Sequence, residues 1–300
     1  MKPMGRIWKL VGTLIAASGL LGCSAKSNSN NAASVKENNP SQTEILTYQT
    51  TYNNKKVTKK ALVYLPKNYH KNAKHNVLYL LHGSTEVKDG ISQLYQEGNF
   101  KQVFDNWDKN TIVVFPTYYP TTKQVTSNYY SDNPLNKRFA KTELVDDLMP
   151  AVAKKYKTYA KDGSKAALQK ARNHQAFGGF SMGSITTWYV FQYDLPYFKY
   201  FIPMAGDSWT VESDGGASAP KETAQVLANA VKENNDLSFE IFAGVGSGDG
   251  TSGSMTPQIN AMKKLPEFKD KIQYYIVPDG NHDAQTTAKI IRHYNRKIFK

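Results

Sequence analysis

The segment Gly179-Phe180-Ser181-Met182-Gly183 sets a single serine between two glycines, after an apolar stretch and before the helix-like run Ile185–Trp188. A serine hydroxyl is a weak nucleophile until a neighbouring base takes its proton. G-x-S-x-G at a strand-to-helix junction is the pattern of a strained turn that lifts the hydroxyl clear of the backbone. Its glycines let the two elements close on one another. Ser181 is therefore the candidate nucleophile, and the chemistry to look for is acyl transfer.

The base is expected on a loop after the last strand, where Pro278–Asp283 supplies His282. His70, His75, His174 and His293 read as structural, and His82 as a hydrogen-bonding residue at the start of a loop. An imidazole base needs a carboxylate to hold its tautomer and stabilise its charged form. Asp249, in the loop after the seventh strand-like run, is favoured. Asp207, one strand earlier, is a rival whose loop can also reach the histidine. The oxyanion of a tetrahedral intermediate needs aimed donors. The backbone N–H of Met182, next to the nucleophile, and that of Ser84, in Leu81-His82-Gly83-Ser84, are the candidates. Gly248, Gly250 and Gly253 match the spacing of a dinucleotide loop. They lie near the C-terminus and enclose Asp249, whereas such loops open a βαβ unit. No cofactor and no metal are expected.

These residues must be positioned by a scaffold. Eight apolar, β-branched or aromatic runs read as strands, beginning at Ile45, Lys59, Asn76, Thr111, Gln175, Tyr200, Ser238 and Ile272. The later runs are apolar almost throughout, as in a parallel sheet covered on both faces. Between them lie helical stripes, such as Phe100, Val103, Phe104 and Trp107, and Leu144, Val145, Leu148, Val152 and Tyr156. Pro150 is expected to kink or open the second of these. A further helix is expected around Val226 and Ala230, and a last one over Ile290–Ile298. The alternation predicts a three-layer α/β sandwich with a mostly parallel sheet of about eight strands. Residues 116–139 form a long connection after the fourth strand, and connections of that length are often functional. Tyr118, Tyr119, Tyr129 and Tyr130 within it are expected to rim the site.

The N-terminus carries a different signal. Lys2, Arg6 and Lys9 precede the apolar run Leu10–Leu21, which is of signal-peptide length and short for a membrane span. It ends in Leu20-Leu21-Gly22-Cys23, which resembles a bacterial lipobox, so residues 1–22 are expected to be removed and Cys23 lipidated. Two acyl chains suffice for stable anchoring. Residues 23–44 are rich in Ser and Asn and read as a polar tether, leaving residues 45–300 as the folded domain. Cys23 is the only cysteine among 300 residues, so the domain has no intrachain disulfide and rests on its core. The net charge of +13 is scattered over the chain without a long basic block, which argues for a solvated surface rather than nucleic-acid binding.

Taken together, "LYLLHGS", "GGFSMGSITTW", "PMAGDSW" and "PDGNHD" resemble the esterase D-like α/β hydrolases. Within that group the chain is most like the feruloyl and acetylxylan esterases of carbohydrate esterase family one. The similarity runs from about Ile45 to Phe299. It implies an α/β-hydrolase fold and a serine carboxylesterase with Ser181, Asp249 and His282 as nucleophile, acid and base. Its substrate would be a small ester or an acylated carbohydrate, while the lipobox-like N-terminus gives the expected location, extracytoplasmic on a lipid anchor at Cys23. Many relatives carry an aromatic residue after the histidine–aspartate pair, where this chain reads "HDAQTT". Two other readings stay open: a cell-surface acyltransferase that uses a sugar in place of water, and a binding lipoprotein without catalysis.

Overall fold

The computed structural model describes residues 39–107 and 110–300. The leader, Cys23 and the tether up to residue 38 lie outside the described residues. Eight strands form the main sheet: β1 (Gln42–Tyr52), β2 (Lys55–Leu65), β3 (Asn76–Leu81), β4 (Thr111–Phe115), β5 (Gln175–Phe180), β6 (Tyr200–Met204), β7 (Glu240–Gly246) and β8 (Ile272–Val277). Their spatial order is β1-β2-β4-β3-β5-β6-β7-β8. β1 and β2 are antiparallel, as are β2 and β4, and every later pairing is parallel. This is the architecture of an α/β hydrolase.

Burial follows pairing. β1 alternates exposed and buried residues over much of its length, as an antiparallel strand with one wet face must. β4, β5 and β6 are buried at every position, because helices cover both faces of the parallel part. β1 turns into β2 through Asn53 and Asn54, both at positive φ (49° and 60°), a conformation that asparagine tolerates in tight hairpins. β1 begins at Gln42, three residues before the domain start expected from apolar content. Gln42, Thr43 and Glu44 pair with Leu65, Tyr64 and Val63, so the backbone ladder extends the strand where side-chain pattern does not.

Pro150 opens its helix as expected. Residues Phe139–Leu148 are π-helical and Met149–Lys155 α-helical, with the proline at the start of the second segment. Proline has no N–H and its ring crowds the carbonyl four residues back, which is relieved in a wider turn. The last helix spans Ala284–Tyr294 rather than Ile290–Ile298. Asp283 caps it by accepting from Thr286 N–H at 2.6 Å. The residues "HDAQTT" are therefore a cap followed by a first turn.

Candidate active site

Because β3 and β5 to β8 run parallel, the loops that follow them open at one edge of the sheet, where ligands bind in open α/β folds. Ser181 follows β5 and precedes the helix Met182–Asp194. Its φ of 56° and ψ of −117° put a non-glycine residue in a sparsely populated region. The surroundings hold it there. Ser181 N–H donates to Met204 O at 3.0 Å, and its carbonyl accepts from Ser184 and Ile185 N–H. Ser184 Oγ and Trp188 Nε1 both donate to Gly206 O, tying the helix to the loop after β6. The chain passes close behind the turn: a Cβ on Gly183 would lie 2.5 Å from Leu81 O.

The structure brings together the three residues singled out from the sequence. His282 Nε2 lies 2.9 Å from Ser181 Oγ. His282 Nδ1 lies 2.9 and 3.0 Å from the two carboxylate oxygens of Asp249, which can only accept, so Nδ1 carries the proton and Nε2 faces the serine as an acceptor. The loops that carry Asp249 and His282 are stapled to each other. Ser247 N–H donates to Val277 O, and Gly248 N–H to Gly280 O at 2.8 Å. Asp249 is buried, and burial by itself would raise its pKa. The hydrogen bonds from His282 and from the Thr251 hydroxyl and N–H outweigh that and hold it below the ordinary value. Asp207 also borders the site, yet its carboxylate accepts from Gly216 N–H at 2.8 Å within its own loop and does not meet His282.

Ser181, His282, Ser84 and Met182 line a cavity of about 420 Å³, with Trp209, Tyr129 and Glu86 among its other walls. Among the described residues, neither Ser84 N–H nor Met182 N–H has a protein acceptor, so both are free to donate into this space. His82, at the end of β3, is buried and its Nδ1 donates to Gly83 O at 2.5 Å. Burial drops its pKa to about 4, so it is a neutral structural residue.

The expected tyrosine rim divides in two. Tyr129 and Tyr130 are 44% and 46% exposed, whereas Tyr118 and Tyr119 are 0% and 2% exposed and cannot form a rim. After β4 the chain turns inward, and the hydroxyls of Tyr118 and Tyr119 reach the buried carboxylate of Asp132 at 3.0 and 2.8 Å. Tyr129 packs at a tilt against Tyr130 at 4.4 Å, and Tyr130 stacks on Trp209 at 5.4 Å, forming an aromatic ledge at the mouth. Tyr130 Oη donates to Asp214 at 2.9 Å and fixes that ledge across two loops.

Sequence reasoning missed Trp209, Glu86 and Asp132. Trp209 closes "PMAGDSW" with no spacing pattern of its own to mark it. Glu86 carries a weak local sign, an acid three residues after Gly83, and its carboxylate accepts from Gly83 N–H at 2.8 Å. Burial pushes its pKa up to about 7. Asp132 has no local signature, because its partners are 13 or more residues away.

Fold and site together define a serine hydrolase of the α/β-hydrolase class. The chain belongs to the Esterase family, whose model matches residues 54–291. It is 32% identical over 246 residues to endo-1,4-beta-xylanase Y of Acetivibrio thermocellus, a match over 77% of this chain and 21% of that protein. The chain thus spans about a fifth of the length of that curated relative. A mutant of the feruloyl esterase module from Clostridium thermocellum, complexed with sinapinate, is similar with a TM-score of 0.69 and 28% identity, over 86% of this chain and 88% of that one. An S-formylglutathione hydrolase from Staphylococcus aureus shares the fold, with a TM-score of 0.60 and 14% identity over 87% and 98% of the two chains.

Proposed function

We propose that this protein hydrolyses carboxylic esters through an acyl-enzyme on Ser181, with His282 as base and Asp249 as its orienting acid. The observation that carries the reading is the continuous hydrogen-bond chain from Ser181 Oγ through both ring nitrogens of His282 to Asp249. In this scheme His282 takes the serine proton as Oγ attacks the ester carbonyl. The N–H groups of Met182 and Ser84 receive the oxyanion. Imidazolium then protonates the departing alcohol, and water repeats the cycle to release the acid.

The acyl group we assign is an aromatic one, a hydroxycinnamoyl ester on a carbohydrate or small alcohol. The aromatic ledge of Tyr129, Tyr130 and Trp209 beside the nucleophile supports this, as does the sinapinate complex of the related feruloyl esterase module. A fluorophosphonate probe tests the catalytic reading. It is expected to label the wild type at Ser181 and to leave Ser181→Ala unlabelled and inactive on methyl ferulate. Labelling or turnover by the alanine variant would overturn it.

We propose further that the protein works outside the cytoplasm on a lipid anchor at Cys23. The basic, apolar and lipobox-like succession of residues 1–23 supports this. Cys23→Ala is expected to move the protein from the membrane to the soluble fraction with catalysis intact. A variant that still sediments with membranes would sink the anchor.

A further inference from the structure

The loop Gly83–Thr85 has to present Ser84 N–H to the cavity, and it does so in an uncomfortable conformation. Thr85, a β-branched residue, has φ of +64°. Such a backbone persists only where the surroundings over-determine it. Three contacts do so here. Glu86 accepts from Gly83 N–H at 2.8 Å, Tyr119 Oη accepts from Thr85 N–H at 3.1 Å, and Ser84 Oγ donates to Asp132 at 2.6 Å. The approach is tight at Gly83, where a Cβ would lie 3.2 Å from Ser181 Cβ and 3.3 Å from the Glu86 carboxyl.

Asp132 is the hub. One oxygen, Oδ2, accepts from Ser84, Tyr118 and Tyr119, while Oδ1 is buried without a partner among the described residues. Asp132 also stands at the N-terminus of the helix Asn133–Arg138, where an aspartate would ordinarily cap, and it makes no capping bond. Its carboxylate is given to the loop instead of to its own helix. Asp132 closes the short helix Tyr129–Asp132, so the residue that holds the oxyanion loop shares one turn with the exposed aromatic ledge.

We infer that Asp132 is a positioning residue for the oxyanion loop: through the hydroxyls of Ser84 and Tyr119 it aims Ser84 N–H at the carbonyl oxygen of the ester held on Ser181. The inference rests on the catalytic reading above. A donor set in this way acts on the transition state more than on the bound substrate, so its loss should appear in kcat rather than KM.

The test uses Asp132→Ala, Asp132→Asn and Tyr119→Phe, with Ser181→Ala in parallel. Each is assayed for kcat and KM on p-nitrophenyl acetate and for inhibition by phenylboronic acid, whose tetrahedral serine adduct places a boron hydroxyl at the oxyanion position. Asp132→Ala is expected to lower kcat about 10- to 100-fold, below the 10²–10³ lost with a whole oxyanion donor. KM should stay nearly constant, and boronic acid affinity should fall in proportion to kcat/KM. Asp132→Asn, which retains an acceptor oxygen, should recover most of the loss, and Tyr119→Phe should reproduce part of it. A folded Asp132→Ala with wild-type kcat and boronic acid affinity would overturn the inference, as would a rise in KM alone. Should Asp132→Ala not fold, Tyr119→Phe and Ser84→Ala decide, and wild-type kcat and boronic acid affinity in both would overturn it. Turnover by Ser181→Ala would instead remove the catalytic reading on which the inference stands.

Discussion

Two regions flank Ser181 and treat carboxylates in opposite ways. On the side of the loops after β7 and β8, Asp249 is buried but receives bonds from His282 and Thr251 that hold its pKa down. On the side of the loop after β3, burial pushes up the pKa of Glu86, to about 7, and that of Asp132, against the hydrogen bonds each accepts. The first arrangement keeps a negative charge where, in the proposed mechanism, an imidazolium would form. The second, at Glu86, weakens negative charge beside the place where an oxyanion would develop and be repelled by it. The same chemical group is thus set differently on the two sides by its donors and its solvent access.

The largest break of this comparison is removal of the group both sides serve. Ser181→Ala is expected to lower kcat by about 10⁶ with the fold retained. Steady-state turnover of methyl ferulate within tenfold of wild type would refute its role.

Next comes the charge on the histidine side. Asp249→Asn is expected to cost on the order of 10⁴ in kcat, because the amide no longer selects the productive tautomer. Asp207→Asn should cost far less, since Asp207 serves Gly216 and its own loop. The reverse ranking in folded variants would transfer the acid role to the loop after β6.

The aromatic ledge belongs to the oxyanion side and should matter less. A lost aromatic contact is worth about 0.5–1.5 kcal/mol, or roughly 2- to 13-fold in kcat/KM. Tyr129→Ala is therefore expected to lower kcat/KM for methyl ferulate by that factor and to spare a short acetyl ester. Equal losses on both esters would give the tyrosine a structural role.

The smallest effect sharpens the contrast through stability. The Glu86 pKa is raised from 4.5 to about 7, so the folded state binds its proton more tightly than the unfolded chain. Its contribution is complete below about pH 4.5 and is lost as pH rises through about 7. His282 and Glu97 face it and act in opposite directions. For Asp249 the folded pKa is depressed, so its contribution is present above the usual carboxylate range and is lost as pH falls through the depressed value. Melting curves from pH 4.5 to 7.5 should show a decline in wild type that is reduced in Glu86→Gln. An identical slope in the two proteins would remove Glu86 from the account.

Much of this protein was legible from its residues alone. All eight strands coincide with apolar, β-branched or aromatic runs, and β4, β5 and β6 read as apolar almost throughout because burial on two faces demands it. Ser181, His282 and Asp249 were legible because each lies directly beyond a strand end, where local pattern and chain order carry the information. Strand order, the antiparallel entry of β1 and β2, and the early start of β1 were decided by backbone pairing, which leaves little trace in side-chain type. The four tyrosines of the long connection looked alike in sequence. Only the packed structure sorted them, sending Tyr118 and Tyr119 inward and leaving Tyr129 and Tyr130 at the mouth. The two inward tyrosines meet the buried carboxylate of Asp132, 14 and 13 residues further along the same connection, and that carboxylate also takes the hydroxyl of Ser84, 48 residues back. A hydrogen bond across such separations depends on where the fold delivers its two ends, and that is a property of the tertiary structure.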